Sequence, residues 1–147
     1  MVSAVEIESI RLGTREIVQY LGYLDNMFAH IGSISQCHAL QKIERQPLTI
    51  LELSQALSLD HSSTSRLAKG LVSKGFCHYI ENKDDKRSRR LGLTKIGKMK
   101  LQEIHATATH QVKSALSLLT ETQRKKIVDG IGLYAQALKQ VYQQEEK

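Results

Sequence analysis

The run from Lys83 to Arg90 packs five Lys/Arg and two Asp into eight residues, then turns into Leu91, Gly92 and Leu93. Cations at this density suit a polyanion, either a nucleic acid or an acidic membrane surface, although solubility alone also tolerates them. Between Lys83 and Lys100 stand eight basic and two acidic residues, a local +6 that equals the formal charge of the whole chain. The basicity is therefore concentrated rather than spread.

A second stretch with chemistry to offer is "SLDHSSTSRLAKGLVSKG", Ser58 to Gly75. As a helix capped by Asp60 or Ser62 and stopped by Gly75, it turns Thr64, Leu67, Ala68 and Leu71 to one side. Ser62, Arg66, Lys69 and Ser73 then lie on the opposite face, with Ser65 at its flank. That face holds no Asp or Glu, unlike most solvated helix faces. Arg66 and Lys69, one helical turn apart, can reach phosphates or the O6 and N7 acceptors of guanine. The hydroxyls of Ser62, Ser63 and Ser65 suit phosphates or close base contacts, while Ser62 and Ser63 read equally well as helix-start residues.

Other chemistries fit the sequence less well. "GLTKIGKM" imitates a phosphate-binding loop, yet Met99 stands where a hydroxyl should hold Mg²⁺ and the preceding strand is charged. Cys37 and Cys77 lack CxxC spacing and read as reduced thiols. Each has a His neighbour in sequence, but adjacent side chains diverge in a helix or strand, so no nucleophile and base are paired. No carboxylate dyad appears, and an enzyme is not expected. His30, Cys37, His38, His105 and His110 are candidates to converge on a metal, but His105 and His110 miss the i, i+4 spacing of a chelating pair. No metal or other cofactor is expected. No run is apolar enough to span a membrane, and "MVSAVEIESIRLG" lacks a secretory core, so a cytoplasmic protein is expected.

The elements that must hold these residues are mostly helices. Aromatics are 5% of the 147 residues and Trp is absent, so the core is expected to be Leu, Ile, Val and Ala in one domain. Ile10, Ile17, Leu21, Leu24, Phe28 and Ile31 stripe a long N-terminal helix, flanked by Tyr20, Tyr23, Met27 and His30 and broken at Gly32. Two adjacent stripes suggest two contacts, one of them with another subunit. A short helix follows, capped by Ser33 or Ser35 and ended at Pro47. Thr49 and Glu52 then form a capping box for a helix carrying Ile50, Leu53 and Leu57. A tight turn to the Asp60 helix makes a helix-turn-helix. Residues 76–81 and 88–94 read as a hairpin with a basic tip. Leu101, Ile104, Ala108, Val112, Ala115 and Leu119 stripe another long helix, and Thr120 and Gln123 cap a last one carrying Ile127, Ile131, Tyr134, Leu138 and Val141.

This order resembles the MarR family of bacterial transcription regulators over nearly the whole chain. The resemblance is carried by "LTILELSQALSLDHSSTSRLAKGLVSKGF", similar to the family's helix-turn-helix, and by "DKRSRRLGLTKIG", similar to its wing. It implies a mainly α fold with a small β-hairpin wing. A winged helix-turn-helix lobe would span residues 33–94, and long dimerisation helices would fill 1–31 and 95–147. It also implies a homodimer on double-stranded DNA with a near-palindromic operator, usually a repressor relieved by a small ligand or by oxidation. Residues from Ser62 to Lys69 would be the recognition helix in the major groove, and Asp85 and Arg87 the wing's paired acid and base.

A hairpin tip can deliver one arginine into a minor groove about 6 Å wide, and Asp85 can orient the Arg87 guanidinium through a bidentate pair. Lys86 and Arg90 are the further wing contacts expected, with Arg89 turned toward the body. Two departures stand out: Tyr79 occupies a position where many members have Arg, and Gly70 one that is usually charged. A bare backbone at Gly70 would let the helix approach DNA closely. A small-molecule effector is expected between the long helices and the DNA-binding lobe, near Tyr20, Tyr23 and His38. The competing readings are a metal- or redox-responsive regulator of the same fold, and a basic helical interaction module without sequence-specific DNA binding.

Overall fold

Short polar side chains decide where the helices begin. In the computed structural model, which describes residues 1–22, 33–85 and 87–145, α1 (Ala4–Tyr20) starts at a capping box in which the Glu6 amide donates to Ser3 Oγ and the Ser3 amide to Glu6. Ser33, not Ser35, caps α2 (Ile34–Arg45). Thr49 and Glu52 form the expected box at α3 (Ile50–Leu57), and Asp60 rather than Ser62 caps α4 (His61–Ser73). These caps satisfy amides that have no partner within the helix.

The N-terminal helix is shorter than its apolar stripe suggests. It closes at Leu21, and Gly22 adopts φ +75°, a left-handed conformation that interrupts a right-handed helix. Tyr23, Leu24, Met27, Phe28, His30, Ile31 and the expected break at Gly32 lie outside the described residues.

After Pro47, Leu48 and Thr49 form a two-residue strand, β1, that the sequence does not announce. It pairs antiparallel with β3 (Arg89–Leu93), which pairs in turn with β2 (Cys77–Glu81), giving the order β1-β3-β2. Leu91 faces Leu48 on one side and Tyr79 on the other. The chain continues into α5 (Lys95–Ser117) and α6 (Glu121–Glu145). At the start of α6 the Thr120 amide donates to Gln123 Oε1 at 2.9 Å, the expected cap.

Met1–Ala106 and Thr107–Lys147 are separate compact units. In the first, Leu40 and Ile43 of α2, Leu53 of α3, Ala68 and Leu71 of α4, Leu91 of β3, and Leu101 and Ile104 of α5 form one buried cluster. Aliphatic burial of this kind holds the two short helices and the hairpin as one body. The stripe on α5 does not stay buried: beyond Ile104, Ala108, Val112 and Ala115 are exposed.

Candidate nucleic-acid interface

Asp60 sets where the recognition-helix candidate begins. Its carboxylate accepts the Ser63 amide at 2.8 Å and the Ser63 hydroxyl at 2.5 Å. These bonds, the hydroxyl foremost, hold the Asp60 carboxyl below its usual range. Ser63 is thus engaged in the cap. One turn on, Thr64 is fully buried with its hydroxyl donating to the Asp60 carbonyl, and Ala68 and Leu71 follow it inward. Ser62, Arg66, Lys69 and Ser73 are exposed on the other side, with Ser65 half-buried between. Among the described residues neither Arg66 nor Lys69 has an ion-pair partner.

Gly70 does not belong to this open face. A Cβ there would come within 2.8 Å of Gln36 Nε2 on α2. The same Gln36 accepts from Lys74 Nζ at 2.9 Å. The atom in the way is the far end of a flexible side chain, which can swing aside.

The hairpin is tied to the helix-turn-helix through Arg90. Its Nη1 donates to Glu52 Oε2 at 2.9 Å and to the Pro47 carbonyl at 3.0 Å, and its Nε reaches Asn82 Oδ1 at 3.4 Å. Glu52 is doubly used, since it also accepts the Thr49 amide at 2.8 Å. The Thr49 amide and then the Arg90 charge hold its carboxyl below the usual range. Buried Asn82 donates to Ser88 Oγ at 2.8 Å and bridges the two ends of the tip. Arg90 was expected on the outside and Arg89 toward the body; the orientations are reversed. Arg89 is exposed, its guanidinium 5.8 Å above the Tyr79 ring.

At the tip, Asp85 Oδ1 accepts the backbone amide of Arg87 at 2.9 Å, and the Ser88 amide donates to the Asp85 carbonyl at 3.1 Å. Asp85 therefore shapes the turn. Among the described residues no ion pair joins it to the Arg87 guanidinium. Arg87 is exposed, and Lys86 lies outside the described residues.

The base of the hairpin explains the loop-like "GLTKIGK". Thr94 Oγ1 donates to the Gly75 carbonyl and accepts the Gly97 amide at 3.0 Å. A Cβ on Gly97 would overlap the Phe76 carbonyl oxygen, and one on Gly92 would lie 2.5 Å from Ile80 Cδ1. Both glycines serve close packing where α5 leaves the sheet, and neither backbone is open to a phosphate.

The remaining candidates do not assemble a second site. Cys37 and Cys77 are buried, which pushes both thiols up, Cys77 to about 12. Among the described residues no three His, Cys, Asp or Glu side chains are placed to hold a metal. His105 instead meets Glu44 at 3.2 Å. Tyr20 and His38 are exposed, and Tyr23 lies outside the described residues. Among the described residues no helix is long and apolar enough to cross a membrane. The second unit holds an open groove of about 680 Å³ lined by Val112, Leu116 and Arg124 among others.

At four residues of this surface, Glu52, Asn82, Arg89 and Tyr79, the role seen in the structure was not legible in the sequence. Glu52 was legible as a cap but not as the partner of Arg90. Asn82 carries no pattern that marks it. Arg89 with Tyr79 was hidden because alternation alone does not tell which long side chain folds back.

Residues 33–88 match the model of the MarR family. No curated protein matches the chain in sequence. Among solved structures, the YusO protein from Bacillus subtilis is 24% identical with a TM-score of 0.71, over 92% of this chain and 99% of that one. FabT of Streptococcus pneumoniae in complex with DNA is 19% identical with a TM-score of 0.78, over 95% and 99%. A MarR transcriptional regulator from Methanosarcina mazei Go1 is 22% identical with a TM-score of 0.74, over 91% and 99%. At these identities the likeness establishes the fold, a winged helix-turn-helix with a three-stranded antiparallel sheet.

Proposed function

We propose, from the MarR-family domain at residues 33–88, that this chain is a cytoplasmic, sequence-specific double-stranded DNA-binding transcription regulator, a repressor acting as a homodimer on a near-palindromic operator. The observation that carries the reading is the exposed, acid-free face of α4, with Arg66 and Lys69 lacking ion-pair partners among the described residues, in the same buried-core unit as a hairpin whose tip exposes Arg87. An α-helix of this width fits a major groove, and a single arginine fits the narrower minor groove. Ser62 and Ser65 supply short-range hydroxyls, while Ser63 acts mainly through the cap. The bonds from Arg90 to Glu52 and Pro47 tie the wing to the start of α3, in the same buried-core unit as α4, which suits a body that contacts two grooves at once. Lys86 adds charge beside Arg87 in the same reading.

A homodimer is supported by apolar exposure that a lone chain does not explain. Ile131, Leu138 and Val141 of α6 are each more than half exposed, as is Ile17 of α1. Apolar surface repeated along a helix is what a second copy covers. A small-molecule effector near Tyr20, Tyr23 and His38 belongs to the same reading, and the exposure of Tyr20 and His38 leaves both open to a ligand. The buried thiols favour an ordinary regulator over a redox-responsive one.

The test is a salt titration of duplex binding in competition with a heparin-like polyanion. A steep negative log-log slope with duplex preferred supports the reading. A flat slope, or equal displacement by the competitor, selects the basic interaction module instead.

A further inference from the structure

We propose that Tyr79 and Arg89 form a stacked phosphate-binding pair on the flank of the wing, gripping the DNA backbone at the edge of the groove that Arg87 enters. This rests on the DNA-binding reading above and adds a contact that the motif does not mark.

The strand register sets Arg89 directly opposite Glu81, the usual place for a cross-strand ion pair. Among the described residues no such pair forms. The guanidinium lies instead 5.8 Å above the ring of Tyr79, one diagonal step along the ladder, within the range of a cation–π contact. A guanidinium lying with one face over a ring keeps its N–H edge for a phosphate, which it binds with two hydrogen bonds. The ring also restricts the side chain before binding, so less conformational freedom is lost when the phosphate arrives. Tyr79 is 37% exposed, so its ring stays open on the flank of the wing.

Spacing gives the pair its target. Arg87 and Arg89 are two residues apart, so their Cα atoms are separated by at most about 7 Å. The minor groove is about 6 Å wide. With Arg87 in the groove, Arg89 falls at the phosphates that border it. Arg90 cannot take this role because Glu52, Pro47 and Asn82 already hold it.

The experiment measures binding of a labelled mixed-sequence duplex of about 30 base pairs, long enough for two half-sites one turn apart, over a salt series. Arg89→Ala should weaken binding about tenfold and reduce the log-log slope by about one per subunit. Arg89→Lys should keep the slope but recover only part of the affinity, a split that a purely structural arginine would not produce. Tyr79→Phe should stay within about twofold of the parent, and Tyr79→Ala should weaken binding several-fold with the slope retained, since a cation–π contact is worth about 0.5–1 kcal/mol at an exposed site. Unchanged affinity and slope in Arg89→Ala, while Arg87→Ala loses both, would overturn the pair and leave the DNA-binding reading standing. A parent protein with no salt slope would overturn both. Matched thermal melts confirm that each variant is folded.

Discussion

Arg87 and Arg90 stand three residues apart and do opposite work. Arg87 is exposed at the tip, whereas Arg90 is drawn back onto Glu52 and the Pro47 carbonyl. Replacing Arg87 with Ala should weaken operator binding by about 1–3 kcal/mol without lowering the melting temperature. Replacing Arg90 with Ala should cost about 1–2 kcal/mol of stability, because charge-assisted bonds are lost and Glu52 loses a partner. Chemical denaturation separates the two; equal melts for both variants would contradict the assignment. Gly97→Ala should be worse, about 3 kcal/mol or more, since the new methyl overlaps a backbone oxygen that cannot swing away. Strand alternation placed Leu91 and Leu93 on one face from sequence alone. It could not place Arg89 and Arg90, because that choice depends on β1 and on the α3 cap, which lie some forty residues upstream.

At the scale of the element, capping was the most legible feature. Thr49 with Glu52, and Thr120 with Gln123, occupy the cap positions that their spacing implied. Asp60→Ala should lower the melting temperature and also blur the start of α4, so its cost in DNA binding should exceed that of Ser62→Ala. The same carboxylates set a pH dependence. Asp60 and Glu52 have folded values below their ordinary 3.8 and 4.5. Their stabilisation is therefore full above those ordinary values and is lost as pH falls through the lowered ones. Thermal melts of the parent between pH 7 and the acid limb should fall more steeply than those of the Asp60→Ala variant; parallel curves would contradict this. What remained illegible had no local signal. β1 is only two residues long, and α1 closes at a left-handed Gly22 although the apolar spacing runs on past it.

The whole molecule offers more apolar surface than one chain covers. Ile131 and Leu138 share a face of α6 and are 57% and 51% exposed. Leu138→Asp should shift the protein from dimer to monomer in sedimentation velocity and weaken operator binding, while leaving the core of the first unit folded. A variant that stays dimeric would move the interface elsewhere. The double apolar striping hinted at a second body in the sequence, but a stripe does not say whether its partner is the same chain or another. The two-groove, two-subunit account is tested most directly by selecting bound duplexes from a random pool. It predicts enrichment of two inverted half-sites whose centres lie about one helical turn, or a multiple of it, apart. Recovery of a pool with no shared sequence, or of single half-sites without partners, would contradict it.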